Sequence, residues 1–114
     1  MIGSPLPAFE VTRYGTDEKI DPASLRGRVV LVDFWATWCR PCVAKLPDIE
    51  RTYRTYRERG FDVFGVSLDH QTEPLDRFLE ARQIVWPQYA DGKGWKNELA
   101  VHFEVSRVPF NLLV

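Results

Sequence analysis

Runs of consecutive apolar residues alternate along the chain with segments of helical spacing. Residues 29–35 and 61–68 are apolar at nearly every position, which is typical of parallel strands covered by helices on both faces. Shorter apolar runs at 9–12, 86–89 and 108–114 predict three further strands. A sheet of such strands needs helices between them, and the intervening segments have the spacing to form them.

The first of these helices is predicted over 40–59. Its apolar residues recur every three or four positions, at Val43, Leu46, Ile49, Tyr53 and Tyr56. Pro47 lies inside the pattern and is expected to bend or loosen the helix. Gly60 is expected to end it. A second helix is predicted over 73–82 and a third over 95–103.

Because strands alternate with helices, the predicted fold class is α/β with a largely parallel sheet, in a single domain over 1–114. The chain stops at its last apolar strand, and no later element is present to cover that strand or pair with it. An uncovered apolar edge invites pairing with another chain. We therefore expect either a longer molecule or a partner at this edge, such as a second copy in a dimer.

The composition is ordinary for a globular domain, with 45% hydrophobic and 27% charged residues. Fifteen basic and sixteen acidic residues leave a net charge of −1, so no basic surface for nucleic acid or for a membrane is predicted. Residues 1–7 lack the charged and apolar regions of a signal peptide. No apolar stretch is long enough to predict a membrane-spanning helix.

The sequence has two cysteines, Cys39 and Cys42, three residues apart. This spacing closes too small a loop to restrict the unfolded chain, so the pair is a poor structural crosslink. A helix N-terminus stabilises the thiolate that attacks disulfides. Cys39, at or just before the first turn, is therefore the expected exposed nucleophile. Cys42, one turn further on and facing inward, fits the role of resolving cysteine.

The two residues between the cysteines suit this chemistry. Pro41 fits an early helical position because its missing N–H is not needed there. Arg40 places a positive charge near the sulfurs, and at roughly 7 Å with an effective dielectric constant near 20 the interaction is at most about 2 kcal/mol. Arg40 is therefore expected to lower the pKa of Cys39 by less than about one unit.

The segment 34–42, Phe-Trp-Ala-Thr-Trp-Cys-Arg-Pro-Cys, resembles the active-site element of the thioredoxin superfamily. It is most similar to the TlpA/ResA-like branch of thiol–disulfide oxidoreductases, which is related to AhpC/TSA proteins. The resemblance implies a thioredoxin-like fold whose last strand and helix are missing from this sequence. It also implies a disulfide reductase without metal or organic cofactor. Its partners would be a disulfide-containing protein substrate and an upstream dithiol electron donor, outside the cytoplasm in the bacterial periplasm or tethered to the membrane.

The resemblance also implies a role for Asp33, a carboxylate within an apolar strand. In similar thioredoxins a buried aspartate here accepts the proton of the inner cysteine, and burial would raise its pKa toward a useful range. A purely structural hydrogen bond to nearby backbone is the alternative. Many members of the branch have asparagine here, and glutamate where this chain has Lys45. That departure assigns the proton transfer to Asp33.

Two positions late in the chain, Val108 and Pro109, also match the superfamily pattern. Pro109 matches its cis-proline, which faces the disulfide and lets Val108 offer backbone hydrogen bonds to a substrate strand. A trans proline that opens the strand is the alternative. Trp38 is expected to be exposed and to dock substrate, with a place in the core as the alternative, whereas Trp35 is expected to lie in the core.

Three other kinds of function remain open from the sequence. A zinc site would require Cys39 and Cys42 to recruit His70 and His102, at no recognised spacing. A thiol peroxidase of a related family would use one attacking cysteine without a CxxC partner. A non-catalytic thioredoxin-like binding module is the third, and the presence of both cysteines and of the two matching prolines argues against it.

Overall fold

The structure, a computed structural model, describes residues 9–114. Its first two strands, β1 (Val11–Thr12) and β2 (Lys19–Ile20), form a short antiparallel hairpin. The sequence predicted one longer strand over 9–12 and missed the partner strand. Strands of two residues are too short to show the alternation from which strands are predicted. The predicted absence of a signal peptide concerns residues outside the described part of the chain.

Four further strands form the central sheet: β3 (Val29–Trp35), β4 (Phe61–Ser67), β5 (Gln88–Ala90) and β6 (Phe110–Leu113). They lie in the order β5–β4–β3–β6, with β3, β4 and β5 parallel and β6 antiparallel to β3. The predicted α/β class with a largely parallel sheet is therefore confirmed. Within residues 9–114, β6 pairs along one edge only, and its four residues are half-buried.

Three helices accompany the sheet: α1 (Arg40–Tyr56), α2 (Thr72–Ala81) and α3 (Glu98–His102). α1 runs through Pro47 without interruption, although this proline was expected to loosen it. Buried residues on both sides of the proline, Leu46 and Ile49, hold the helix against the core. A 3-10 turn then leads to Gly60, whose φ of 90° is the left-handed conformation that favours glycine. The predicted stop is confirmed.

The prediction of one continuous helix over 95–103 is wrong. A 3-10 turn at Gly94–Lys96 and α3 are separated by Asn97, which is completely buried. Its side-chain oxygen accepts two N–H groups of the first turn of α3, at 2.9 and 3.1 Å. Its amide donates to the carbonyl of Ser67 at 3.2 Å. The cap therefore joins the start of α3 to the end of β4.

The core is built from the apolar faces of β3, β4 and α1. Trp35 is fully buried, as expected, and its Nε1 donates to Gln88 Oε1 at 3.0 Å. Parallel β3 and β4 end at the same edge of the sheet, where β3 leads into the segment that carries Cys39. No helix within residues 9–114 is long and apolar enough to cross a membrane.

Candidate active site

Cys39 and Cys42 form a disulfide at the start of α1, with their Cα atoms 5.2 Å apart. Cys39 is the N-cap of the helix, and its sulfur accepts the backbone N–H of Cys42 at 3.2 Å. An N–H group that already points at this sulfur stabilises negative charge on it when the disulfide is reduced. The geometry therefore favours a thiolate at Cys39.

The expectation that Cys39 is exposed is wrong for the disulfide form. Its exposed fraction is 5%, against 2% for Cys42. The bond to Cys42 and the hydrogen bond from the first helical turn draw the sulfur over the end of the helix, so little of its surface reaches solvent. Cys39 is more exposed than Cys42, as expected, but only slightly.

The residues around the disulfide form an exposed rim. Arg40 and Pro41 are exposed in the first turn of α1. The side chain of Trp38 is 51% exposed, as expected, and its ring lies 6.1 Å from the ring of Trp95, which is 44% exposed. Two exposed aromatic rings beside a disulfide offer apolar contact area to a polypeptide.

A buried carboxylate holds the segment that presents Trp38 and Cys39. Asp69 accepts the backbone N–H of Thr37 at 3.2 Å and its hydroxyl at 2.5 Å. It also accepts the hydroxyl of Ser67 at 2.6 Å. Because Ser67 ends β4, these bonds fasten the approach to the redox pair to the sheet.

Asp33 lies in the middle of β3 and is almost completely buried. Desolvation raises the pKa of its carboxyl group to about 7, and the positive charge of Lys45 acts in the opposite direction. On the neighbouring strand Asn111 is directly opposite Asp33. The amide of Asn111, with its nitrogen toward the carboxylate, donates to Asp33 Oδ1 at 2.7 Å. A carboxyl group with a pKa in this range can exchange a proton near neutral pH.

The structure places Val108 and Pro109 immediately before β6, joined by a cis peptide bond. Both are half-buried. Phe110 pairs with Phe34, so this dipeptide lies at the end of the sheet from which β3 runs toward Cys39. The cysteines, the residues that flank them and Val108–Pro109 therefore lie at one end of the sheet, whereas Asp33 lies within β3.

The histidines of the zinc alternative do not join the cysteines. Within residues 9–114 no three His, Cys, Asp or Glu side chains are close enough to hold a metal ion. Residue 94 is a glycine, and the ring of His70 occupies the space that a side chain at this position would fill. The tetrahedral ligand set of a structural zinc site is thus not assembled from these residues.

Sequence reasoning missed two residues of the site, Asp69 and Asn111. Each is a polar residue at or within an apolar strand segment, as Asp33 is. The same signal that identified Asp33 could have selected them. Their partners could not be found in this way, because strand register and loop position bring them together.

A CxxC disulfide at the N-terminus of a helix, on a mixed sheet with a cis-proline at the same end, defines a thioredoxin-fold redox domain. Solved structures of thiol-disulfide oxidoreductases have the same fold. The thioredoxin domain of a thiol-disulfide oxidoreductase from Bacteroides vulgatus is 26% identical with a TM-score of 0.83, over 100% of this chain and 81% of that one. A thiol-disulfide oxidoreductase from Bacteroides fragilis is 26% identical with a TM-score of 0.84, over 97% of this chain and 82% of that one.

The AhpC/TSA family profile matches residues 2–109, and the chain belongs to this family. Among curated proteins, the thiol-disulfide oxidoreductase ResA of Oceanobacillus iheyensis is 31% identical over 86% of this chain and 53% of its own length. ResA of Bacillus cereus is 29% identical over 99% of this chain and 63% of its own length. The chain thus spans between half and two thirds of the length of these relatives.

Proposed function

We propose that this chain is the redox domain of a thiol–disulfide oxidoreductase that reduces protein disulfides. The observation that carries the proposal is the Cys39–Cys42 disulfide at the start of α1, with the N–H of Cys42 directed at the sulfur of Cys39. The related proteins named as thiol-disulfide oxidoreductases support the same reaction.

The reaction begins with the reduced pair. The Cys39 thiolate attacks one sulfur of a substrate disulfide, whose S–S bond breaks as a mixed disulfide forms. The other substrate sulfur leaves as a thiolate and takes up a proton. Asp33 accepts the proton of the Cys42 thiol, and the Cys42 thiolate then attacks Cys39 Sγ. The second substrate thiolate is released, and two electrons have passed from the cysteine pair to the substrate.

The rim has assigned roles in this proposal. Trp38 and Val108 contact the substrate polypeptide, the latter through its backbone, while Pro109 faces the disulfide. Arg40 favours the thiolate, and Pro41 starts the helix that carries both cysteines. A dithiol donor of a separate protein returns the pair to its reduced state, and no metal or organic cofactor takes part.

The cellular location and the oligomeric state of the domain are also proposed. We infer from the resemblance to the TlpA/ResA-like branch that the domain works outside the cytoplasm, in the bacterial periplasm or tethered to the membrane. The outer edge of β6, which has no partner strand within residues 9–114, would allow two copies to pair. Size-exclusion chromatography with light scattering tests that dimer, and a strict monomer at micromolar concentration would contradict it.

The activity is tested by insulin reduction with dithiothreitol as donor. Cys39→Ser should reduce the rate to the background level. Cys42→Ser that is first reduced and then freed of dithiothreitol should retain the first attack on insulin and accumulate a mixed disulfide, visible as a mass increase that added reductant removes. Thr55→Ser, on the exposed part of α1, is the matched control and should be unchanged. Wild-type turnover by Cys39→Ser would refute the proposal, and a redox titration of the pair tests the reductase direction.

A further inference from the structure

Asp33 and Asn111 face each other across the pairing of β3 with β6. Directly opposite residues of antiparallel strands have their side chains on the same face, with Cβ atoms about 5 Å apart. With its nitrogen assigned to the side that faces these two acceptors, the Asn111 amide donates to Asp33 Oδ1 at 2.7 Å and to the carbonyl of Phe110 at 3.1 Å. Both amide hydrogens are used in this orientation, whereas the opposite one would set the amide oxygen against two acceptors.

Asn111 also reaches the outside of the protein. It lies in a groove of about 240 Å³ between α1 and the sheet, which is lined by Leu31, Lys45, Asp48, Ile49, Thr52 and Asn111. Asp33 does not line this groove and is almost completely buried. Among the groove residues, Asn111 bonds directly to Asp33, so it connects the buried carboxylate to the solvated groove.

The groups that face Asp33 come from three elements. α1 contributes Lys45, whose positive charge acts on Asp33, and Asp48, which lines the groove together with Lys45 and Asn111. β6 contributes Asn111, and β4 contributes Gly65, which has no side chain. Burial opposes ionisation of Asp33 and Lys45 favours it. A donated amide hydrogen also favours the ionised form, because it bonds most strongly to a charged acceptor.

We propose that Asn111 is a positioning residue for proton transfer, which holds the Asp33 carboxylate in place and stabilises the ionised form that accepts the Cys42 proton. The inference rests on the proposed function and deepens it. In the step concerned, the S–H bond of Cys42 breaks, the proton moves to a carboxylate oxygen of Asp33, and the electron pair stays on the sulfur. Asn111 itself neither gains nor loses a proton.

The direct test follows the carboxyl carbon of Asp33 by NMR as a function of pH in the oxidised protein, where neither cysteine titrates. Asn111→Leu removes the donor at similar volume, and its midpoint should lie about one pH unit above that of the wild type. Asn111→Thr provides a hydroxyl donor on a shorter side chain, and its midpoint should lie between those of the wild type and Asn111→Leu. Thr52→Ala changes another groove residue without a bond to Asp33 and should leave the midpoint unchanged.

The second measurement is the pH profile of insulin reduction. In this profile the rate changes near neutral pH, and Asn111→Leu should move the midpoint of that change to higher pH by the same amount as the NMR midpoint. In an Asp33→Asn background the same substitution should produce no shift. Equal midpoints for wild type, Asn111→Leu and Asn111→Thr would overturn the inference. Asn111→Thr keeps the test valid even where Asn111→Leu does not fold. Failure of the proposed function itself would give a different result, namely insulin reduction by Cys39→Ser at the wild-type rate.

Discussion

The carboxylate of Asp69 accepts both the backbone N–H and the hydroxyl of Thr37, and these bonds tie the end of β4 to the segment just before Cys39. Ser67 completes the set by donating its hydroxyl to Asp69. A nearly buried carboxylate of this kind is stable only while its hydrogen-bond donors are in place. These bonds fix the segment that carries Trp38 and Cys39 relative to the end of β4.

Asp69→Ala is expected to destabilise the protein by about 2–4 kcal/mol, because it leaves the donors of Thr37 and Ser67 without a partner. Asp69→Asn keeps one acceptor oxygen and should cost less. Urea unfolding of the oxidised proteins measures both effects. Asp17→Ala, at an exposed position in the β1–β2 turn, is the control. If Asp69→Ala lowers the free energy of unfolding no more than the control does, the hydrogen bonds of Asp69 do not hold the segment before Cys39.

Asp33 is expected to make stability depend on pH. Its pKa is raised from 3.8 to about 7 in the folded protein, so between these values the folded state retains a proton that the unfolded state has lost. Stability therefore falls as pH rises through this window, by about 2–3 kcal/mol between about pH 5 and about pH 8. Asp33→Asn should remove this fall and be more stable than wild type at the higher pH.

Urea unfolding of the oxidised wild type and of Asp33→Asn at both pH values measures this effect. Asp17→Asn, at an exposed aspartate, should keep the wild-type pH dependence. A wild-type protein whose stability relative to Asp33→Asn is the same at both pH values would contradict the raised pKa.

Arg40→Gln is expected to raise the pKa of the Cys39 thiol by less than about one unit, because the guanidinium group is exposed and its field is screened by solvent. Ultraviolet absorbance of the thiolate during a pH titration of the reduced protein measures the change. Arg51→Gln, further along α1 and paired with Asp48, should have no effect. An increase well above one unit would mean that Arg40, rather than the helix N-terminus, determines the thiolate.

Trp38→Ala is expected to lower kcat/KM for a protein disulfide by about fivefold, which corresponds to loss of about 1 kcal/mol of aromatic contact. Reduction of a small aromatic disulfide reagent should change less, since it needs little of the rim. Val85→Ala removes another exposed apolar side chain and should affect neither. An equal loss for both substrates would assign Trp38 to the chemistry instead of to docking.

Most of the fold could be predicted from apolar patterning. β3 and β4 are long apolar runs, and α1 has a clear helical period, so their types and approximate limits were evident. The breaks in the pattern were less visible. Asn97 divides the predicted third helix because its side chain caps α3 and bonds to β4, a contact between residues thirty positions apart that no local pattern contains.

The sequence by itself determined the redox pair, the strand–helix junction that carries it and the buried aspartate behind it, because these depend on local spacing and polarity. Only the tertiary structure decided that Asn111 is opposite Asp33 and that Asp69 holds Thr37. Strand register and loop packing create those contacts, and both are set by which surfaces the whole chain buries together. It likewise decided that the sulfur of Cys39 is covered, because exposure of a residue is a property of its neighbours in space.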